Sequence, residues 1–381
     1  MKPTELASVC NINMGQAPAG SSYNSNGVGL PLLAGAGDFG IDFPAATKFT
    51  SIPTKVSEPN DIIICIRATI GDLNWSDRAY CLGRGVAGLR PNPKLLDRNY
   101  LWHWLVHAKA KLENKARGST FKQVSRRDVA ELEILLPSTL DEQRRIAAIL
   151  DRANAIRRKR EQALTLADDF LRSVFLAMFG DPVENLSGWP LEALGSVCSK
   201  ITDGTHDTPP RQSSGVMFIT GKNIRPFRVD RQNVEFVSEE VHQEIYRRCN
   251  PEYGDVLYTN IGAGTGNAAF NDANVEFSMK NVALLKPDAK LTNGRFLESL
   301  LNHDGFRRQL LGQFGQGGAQ GFLGLKTIKS IKVPVPPVEL QTQFFRLAEK
   351  IKSASARIEV ARLTDEDLFS SLAQRAFRGE L

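Results

Sequence analysis

A set of basic, amide and hydroxyl side chains in turn-rich parts of the sequence has the chemistry of a nucleic-acid contact surface. Arginine, lysine and hydroxyl groups bind phosphate oxygens, and arginine, lysine, asparagine and glutamine also read base edges in the major groove. A solvated loop has the same composition, so the pattern leaves both interpretations open. The candidates are Arg67, Arg84, Arg117, Ser119, Thr120, Lys122, Gln123, Thr205, His206, Lys222, Asn223, Arg225, Lys280, Gln316 and Gln320.

Motifs that would support catalysis are weaker. Residues 83–88 read G-x-G-x-x-G, but Pro91 and Pro93 follow, and a dinucleotide site needs a helix there, so we predict a turn. His103 and His107 have a spacing used in metal sites, yet no third ligand is evident, which favours a structural pair. Neither a G-x-x-x-x-G-K-[S/T] phosphate loop nor a G-x-S-x-G nucleophile motif occurs. We therefore predict a chain that has no catalytic residues and binds no metal or cofactor.

Composition narrows the class of protein further. The chain has 381 residues, of which 42% are hydrophobic and 24% charged, as in globular proteins. Its net charge of +6 permits a nucleic-acid partner without requiring one. The five cysteines form no C-x-x-C pair, which is typical of free thiols in a reducing compartment. No secretory signal or membrane span is evident, so we expect a soluble cytoplasmic protein without membrane contact.

The elements that must position these side chains occur twice, because the sequence repeats itself at an offset of roughly half its length. In both copies an aspartate, Asp61 or Asp255, precedes an apolar strand, and an alternating strand precedes a long helix. Such ordered similarity indicates a tandem duplication. The matching segments are 6–10 with 194–198, 59–64 with 253–258, 84–91 with 280–287, and 129–137 with 328–336.

Each copy ends in a long helical pattern, over 141–179 and 339–378. Apolar residues recur there with alternating spacings of three and four, which predicts a seam between two antiparallel helices. Two independent helical hairpins are the alternative. Gly180 and Pro182 predict the end of the first helix. The predicted packing residues are Ile146, Ile149, Ile156, Phe170, Val174, Phe344, Leu347, Ile351 and Ile358.

The predicted fold class is α+β. We expect two homologous mixed α/β domains separated by two long helices, which pack as an antiparallel coiled coil around an internal pseudo-twofold axis. The predicted boundaries are 1–140 for the first domain, 141–180 for the central helix, 181–338 for the second domain and 339–381 for the C-terminal helix.

The strand-to-helix junctions at 135–146 and 335–341 add a more specific signal, together with residues 178–182 and Asp-Gly-Thr-His-Asp-Thr-Pro at 203–209. In this combination the whole chain resembles the specificity subunit of a type I restriction–modification system. One departure from the family pattern is Glu-Leu-Gln at 339–341, where Glu-Gln is usual.

The resemblance implies a non-catalytic subunit that works in DNA methylation and phage defence. Each α/β domain would be a target-recognition domain that reads one half of a bipartite site in double-stranded DNA. The helices would bind two methyltransferase subunits, which use S-adenosylmethionine, and motor–nuclease subunits would supply ATP- and Mg²⁺-dependent cleavage. A duplicated coiled-coil scaffold that binds only proteins is the competing function, and a methylation-only assembly is an intermediate possibility.

Overall fold

The computed structural model describes residues 1–118, 122–262, 264–314 and 322–381. The chain forms two compact units: residues 1–161 with 360–381, here unit 1, and residues 162–359, here unit 2. These units follow packing, whereas the predicted segments 141–180 and 339–381 follow secondary structure. The predicted domain boundaries therefore stay predictions.

Unit 1 is built from short strands, three complete helices and parts of two long ones. Its strands are β1 (Lys2–Glu5), β2 (Cys10–Met14), β3 (Tyr23–Asn24), β4 (Leu30–Leu33), β5 (Phe49–Thr50), β6 (Ile62–Cys65), β7 (Leu73–Trp75), β8 (Cys81–Leu82), β9 (Val86–Pro91) and β10 (Glu133–Leu136). Its helices are α1 (Leu6–Val9), α2 (Arg98–Asn114), α3 (Arg126–Ala130) and the first part of α4 (Leu140–Phe179).

Unit 2 begins within α4. Its strands are β11 (Leu191–Ala193), β12 (Cys198–Asp203), β13 (Val216–Thr220), β14 (Ile224–Arg225), β15 (Arg228–Val229), β16 (Glu235–Val237), β17 (Val256–Tyr258), β18 (Ala268–Phe270), β19 (Ser278–Lys280), β20 (Ala283–Pro287) and β21 (Lys332–Pro334). Its helices are α5 (Leu194–Val197), α6 (Glu239–Cys249), α7 (Gly294–Leu301), α8 (Asp304–Phe314), α9 (Leu325–Ser330) and the first part of α10 (Val338–Ala376), whose end lies in unit 1.

Both units contain the same four-stranded antiparallel sheet. The strand order is β2-β9-β6-β7 in unit 1 and β12-β20-β17-β18 in unit 2, and a four-residue helix, α1 or α5, precedes each first strand. Each unit also has an equivalent two-stranded antiparallel sheet, β1-β10 or β11-β21. The remaining sheets differ: unit 1 adds β3-β5-β4-β8, and unit 2 adds β16-β13-β19 and β14-β15. The common sheet confirms the duplication and the predicted mixed helix-and-sheet class.

A buried ion pair is repeated in the common sheet. Asp61, just before β6, contacts Arg90 on β9 at 2.7 Å, and Asp255, just before β17, contacts Lys286 on β20 at 2.8 Å. A second carboxylate three residues earlier joins each cation. A carboxylate taken from water is tolerated where an opposite charge lies within hydrogen-bond distance, so the aspartate at each strand entrance has a structural role.

Each long helix is fastened at its start by a buried glutamine. The Gln143 side chain accepts from the Asp97 N–H at 2.8 Å and donates to the Leu95 carbonyl at 3.0 Å. Gln341 makes the matching bonds, with the Thr292 hydroxyl at 2.9 Å and the Leu291 carbonyl at 3.0 Å. The altered junction at 339–341 therefore keeps the glutamine anchor.

The two long helices run antiparallel in each unit. In unit 1, Arg160 pairs with Asp365 at 2.8 Å, and the Arg157 guanidinium lies 5.2 Å from the Phe369 ring centroid. In unit 2, Asp168 pairs with Lys352 at 3.0 Å, and Phe175 contacts Phe344 with ring centroids 5.7 Å apart. Partners later on one helix lie earlier on the other, which is the antiparallel arrangement predicted from the sequence.

The seam differs by one residue from its predicted position in parts of α4. Ile146 and Phe344 are buried as predicted, and Ile149, Val174, Leu347, Ile351 and Ile358 are half-buried. Ile156 and Phe170, however, are 49% and 54% exposed, and their neighbours Arg157 and Leu171 turn inward. Ile156 and Phe170 therefore lie beside the seam. The prediction chose Ile156 because it is apolar. Arg157 can take the inward position because its hydrocarbon stem covers apolar surface while its charged end reaches water.

Each core joins the common sheet to both long helices. In unit 1, Tyr100 of α2 contacts Phe377, just after α10, with ring centroids 5.4 Å apart, and in unit 2 Phe296 of α7 contacts Phe179 of α4 at 4.9 Å. α4 ends at Phe179, where Gly180 adopts the left-handed conformation (φ 80°) that favours glycine. Within the part of the chain that the structure describes, no helix has the length and apolarity needed to span a bilayer.

Candidate nucleic-acid interface

Three candidates in unit 1 lie together at the end of β6. The Arg67 guanidinium donates to the Gln123 side-chain oxygen at 2.8 Å, and Arg117 and Gln123 exchange backbone hydrogen bonds at 3.0 and 2.9 Å. Lys122 joins them because its carbonyl accepts from the Ala68 N–H at 3.2 Å. All four side chains are exposed. Ser119 and Thr120, predicted for the same loop, lie outside the described residues.

A capped short helix supports this arginine–glutamine cluster. Ser125, two residues after Gln123, caps α3: its hydroxyl and N–H both bond to the Asp128 carboxylate, at 2.6 and 2.8 Å. These hydrogen bonds lower the pKa of the Asp128 carboxyl, because they stabilise its ionised form. A helix start fixed by side-chain hydrogen bonds therefore follows Gln123 within two residues.

Arg84 lies at an exposed turn between β8 and β9, as predicted for the glycine-rich motif at 83–88. Gly85 must be glycine there, because a Cβ atom would lie 2.0 Å from the Ala34 carbonyl oxygen. β9 begins at Val86, so a strand follows the motif and no helix N-terminus is available for a pyrophosphate.

Three candidates in unit 2 line one cleft of about 590 Å³. Lys222, Arg225 and Lys280 come from three separate segments, after β13, in β14 and at the end of β19. The wall is closely packed at Gly221, where a Cβ atom would lie 3.3 Å from the Thr259 methyl carbon. The cleft offers cations and amide groups to a ligand, which is the donor set of nucleic-acid recognition.

Asn223 is a correction to the predicted contact set. Its side chain is buried, accepts from the Thr220 N–H at 2.9 Å, and donates to the carbonyls of Asp230 and Asn233 at 3.2 and 3.0 Å. The amide is therefore used inside the protein, where it fixes the turn that carries Lys222 and Arg225.

Thr205 and His206 lie next to the cleft-forming strand β19. Thr205 forms a backbone bridge to Lys280, and the His206 ring contacts Asp203 at 2.8 Å and the Asn281 side-chain oxygen at 3.1 Å. Asp203 is buried and binds Arg248 at 2.6 Å through its other oxygen. Gln316 and Gln320 lie outside the described residues.

The histidine pair has a structural role. His103 is buried and contacts Asp151 of α4 at 2.7 Å, and burial lowers the pKa of both His103 and His107. Within residues 1–118, 122–262, 264–314 and 322–381, no three His, Cys, Asp or Glu side chains are placed to hold a metal ion.

Comparison with known proteins shows which family the chain is similar to. A sequence profile of the type I restriction modification DNA specificity domain matches residues 1–166. The type I restriction enzyme MjaX specificity subunit assigned in Methanocaldococcus jannaschii is 38% identical over 155 residues, 40% of this chain and 36% of that protein. The EcoBI specificity subunit of Escherichia coli is 23% identical over an alignment of 414 positions that covers 99% of this chain and 85% of that subunit. The chain is similar to type I restriction–modification specificity subunits.

Solved structures agree on the fold of a specificity subunit. The S subunit of a type I restriction–modification system from M. genitalium aligns over 99% of this chain and 96% of its own, with a TM-score of 0.64 and 18% identity. A chain from a structure of type I complex assembly and conformational transition aligns over 100% and 98%, with a TM-score of 0.55.

Sequence reasoning missed two arginines around the unit 2 candidates. Arg211 lines the cleft, pairs with Glu235 at 2.5 Å and lies over the Phe218 ring at 4.2 Å. Arg248 reaches the Asp203 carboxylate beside His206 from α6. Neither has a sequence signal, because strand pairing and helix packing bring both from distant segments.

Proposed function

We propose that this chain is a type I restriction–modification specificity subunit that reads a bipartite DNA site, with one half-site bound by each unit, and that it has no catalytic role. The observation that carries the proposal is that matched frameworks present unlike polar surfaces. Unit 1 exposes the cluster of Arg67, Arg117 and Gln123, and unit 2 lines a cleft with Lys222, Arg225 and Lys280. Different donor sets on the same framework suit two different half-sites.

In each unit these groups would act in two ways. Cations that meet phosphate would position the duplex, and arginine, lysine or glutamine side chains that reach base edges in the major groove would select sequence. Arg225 and Arg117 are the first choices for base reading because both are exposed and lie on constrained backbone.

The long helices would provide binding surfaces for two methyltransferase subunits. When Gln143 of α4 is aligned with Gln341 of α10, Phe170 falls on Leu368, and both side chains are more than half exposed. Exposed apolar side chains at equivalent positions suit two copies of one partner. Those partners, with the motor–nuclease subunits, would supply the S-adenosylmethionine, ATP and Mg²⁺ chemistry in the cytoplasm.

Helix length would set the spacing of the two half-sites. Removing seven residues from each helix at facing positions shortens both by about 10 Å, the rise of about three base pairs. We expect a shorter unspecified spacer with both half-sites unchanged. Altered half-site sequences would contradict this part of the proposal.

Sequencing of methylated bases in host DNA, with and without this gene, tests the function. We expect a bipartite methyl-adenine motif to disappear on deletion and to return on complementation. An unchanged methylome in cells that express the partner methyltransferase would favour the protein scaffold. The scaffold also predicts that the complex shows no DNA affinity that falls steeply with salt.

A further inference from the structure

A backbone bridge follows the common sheet at the same place in both units. Arg67 pairs with Gln123 in unit 1, and Ile261 pairs with Phe322 in unit 2, both antiparallel. Arg67 and Ile261 each lie six positions after the aspartate of the repeated ion pair. Gln123 and Phe322 each lie three positions before a short helix, α3 or α9. The two bridges are therefore equivalent places in the duplication.

A hydrogen bond beside each bridge supports this register. The Val124 N–H donates to the Ile66 carbonyl at 3.0 Å, and the Leu323 N–H donates to the Asn260 carbonyl at 2.8 Å. In each unit the donor follows one bridge residue and the acceptor precedes the other. The bridge residues of the two units therefore correspond one to one.

The side chains at the bridge have opposite character in the two units. Residues directly opposed in an antiparallel pair place their side chains on one side, with Cβ atoms about 4.5–5.5 Å apart. In unit 1 the Arg67 guanidinium donates to the Gln123 side-chain oxygen at 2.8 Å. In unit 2 Ile261 is half-buried and Phe322 is 54% exposed. Unit 2 thus offers apolar surface at the place where unit 1 offers hydrogen-bonding groups.

This apolar pair of Ile261 and Phe322 adjoins the cationic cleft of unit 2. Ile261 lines that cleft together with Lys222, Arg225 and Lys280. A Cβ atom on Gly221 would lie 3.7 Å from the Ile261 carbonyl oxygen, so Ile261 is next to the turn that carries Lys222. The apolar surface and the cations therefore face a ligand of the cleft together.

The charges of the cleft favour an anionic ligand. Among the described residues that line it, Glu235 alone is acidic, and its carboxylate pairs with Arg211 at 2.5 Å. The three other cations of the lining have no carboxylate partner there. Cations beside exposed apolar side chains suit a polyanion that also carries apolar groups, and a DNA duplex has both.

The major groove offers one such apolar group on a base edge, the 5-methyl group of thymine, and phenylalanine is among the side chains that contact it. The Phe322 ring lies beside its own chain, because a Cβ atom on Gly324 would be 3.6 Å from the ring carbon Cε1. Insertion between base steps in the minor groove needs a side chain that projects as a wedge. The position of the ring therefore favours contact with a methyl group.

We propose that Ile261 and Phe322 contact the 5-methyl group of a thymine in the half-site that unit 2 binds. At the equivalent place unit 1 offers Arg67 and Gln123, which suit a base edge that forms hydrogen bonds. The inference rests on the proposed function, since it requires that unit 2 reads DNA. It adds two specificity-determining side chains and the chemical group that they recognise.

The test uses the full chain assembled with its methyltransferase subunits, on duplexes that carry the target found by sequencing of methylated bases. Each thymine of either strand is replaced in turn by deoxyuridine, which lacks only the 5-methyl group. Competition binding at fixed salt measures the affinity. We expect replacement of one thymine to weaken binding about threefold to fivefold through Ile261 and Phe322, because one buried methyl contact is lost.

Alanine variants link that thymine to unit 2. Phe322→Ala and Ile261→Ala should each weaken binding to the thymine duplex and reduce the effect of deoxyuridine to less than about twofold, because contacting groups are not additive. Gln123→Ala, the matched control in unit 1, should keep the full deoxyuridine effect at this thymine. Val275→Ala removes another exposed apolar side chain of unit 2 and should also keep it.

Exchange of the bridge residues gives a second test. The double variant Ile261→Arg with Phe322→Gln places the unit 1 pair in unit 2. We expect it to lose the preference for thymine at this position and to leave the other half-site unchanged, because the apolar contact is replaced by hydrogen-bonding groups. Binding to duplexes with each of the four base pairs at this position measures the preference. An unchanged preference for thymine would contradict the inference.

The outcomes separate this inference from the proposed function. Sequence-specific binding without a thymine that responds to deoxyuridine, or a response that persists in both alanine variants, would overturn the inference alone. Equal weakening of the thymine and deoxyuridine duplexes by Phe322→Ala would mean a contact that does not involve the methyl group, such as a wedge, and would also overturn it. Absence of any sequence-specific binding by the assembled complex would overturn the proposed function together with this inference.

Discussion

Unit 1 and unit 2 share a sheet, an ion pair and a glutamine anchor, yet they differ in the exposure of that ion pair and in the residues of their candidate contact surfaces. The cation of the ion pair is 37% exposed in unit 1, as Arg90, and 11% exposed in unit 2, as Lys286. The candidate DNA contacts form an exposed cluster in unit 1 and line a cleft in unit 2. The comparison teaches that the duplication preserved the buried framework and left the outer residues free to diverge.

Of the changes considered, removal of the aspartate of the repeated ion pair should give the largest difference in stability loss between the two units. Asp255→Ala leaves a nearly buried ammonium on Lys286 without its closest partner, so we expect unit 2 to lose about 3–5 kcal/mol of stability. Asp61→Ala should cost unit 1 less, because Arg90 is more exposed and water can solvate it. Hydrogen exchange of β17 and β20, compared with β6 and β9, measures both effects. Equal losses would show that exposure of the cation does not set the cost.

The revised helix seam predicts opposite results for two adjacent residues. Leu171→Ala should destabilise unit 2 by about 2–5 kcal/mol because it empties a buried position. Phe170→Ala should change stability by less than about 0.5 kcal/mol because Phe170 is exposed. Urea unfolding of the isolated chain separates them. A large loss of unfolding free energy for Phe170→Ala would mean that Phe170 packs in the seam after all.

Arginine substitutions sharpen the comparison of the two candidate DNA-contact surfaces. Arg225→Ala should relax one base of one half-site at a cost of about 1–3 kcal/mol, and Arg117→Ala should do so in the other half-site. Binding of the assembled complex to sites with single base changes measures this. If the affinity for all DNA sequences fell equally, the substituted arginine would contact phosphate and not a base.

A pH difference is the smallest expected effect. Burial lowers the pKa of His103 in the folded chain, so the unfolded chain takes up its proton at higher pH. The contribution of His103 to stability is complete above pH about 6.5 and declines as pH falls, by at most about 1.4 kcal/mol per pH unit. His103→Gln should remove this share of the acid sensitivity in urea unfolding between pH 7.5 and 5. Serine stands at the matching position of unit 2, Ser299, so Ser299→Ala should leave the slope unchanged.

The framework could be predicted because its signals are local. An aspartate before an apolar strand, a glutamine near a helix start and a glycine at a helix end each act on neighbouring residues. These signals predict the strands and the long helices, and their recurrence along the chain reveals the duplication. The turn at Gly83–Gly85 is predicted in the same way, from the prolines that follow it. The exposed side of α4 could not be predicted, because residue type does not show whether an apolar side chain such as Phe170 faces the other helix or solvent.

The candidate surface was only partly predictable. Arg225 and Lys280 are the last residues of the short strands β14 and β19, and the structure brings them to one cleft. Asn223 has the same composition signal, but its amide is used by backbone groups up to ten residues away. Arg211 reaches the cleft through tertiary packing, which has no counterpart in the sequence pattern.

The five cysteines are all buried, and burial raises the pKa of the Cys10, Cys65 and Cys198 thiols to about 12 and that of Cys249 to about 11. Near neutral pH these sulfurs remain protonated and shielded from maleimide reagents. A cysteine introduced at an exposed site in each unit would therefore be the group that takes a fluorophore, without prior removal of the native thiols. Energy transfer between two such dyes could then report the distance between the units, in the free chain and on DNA.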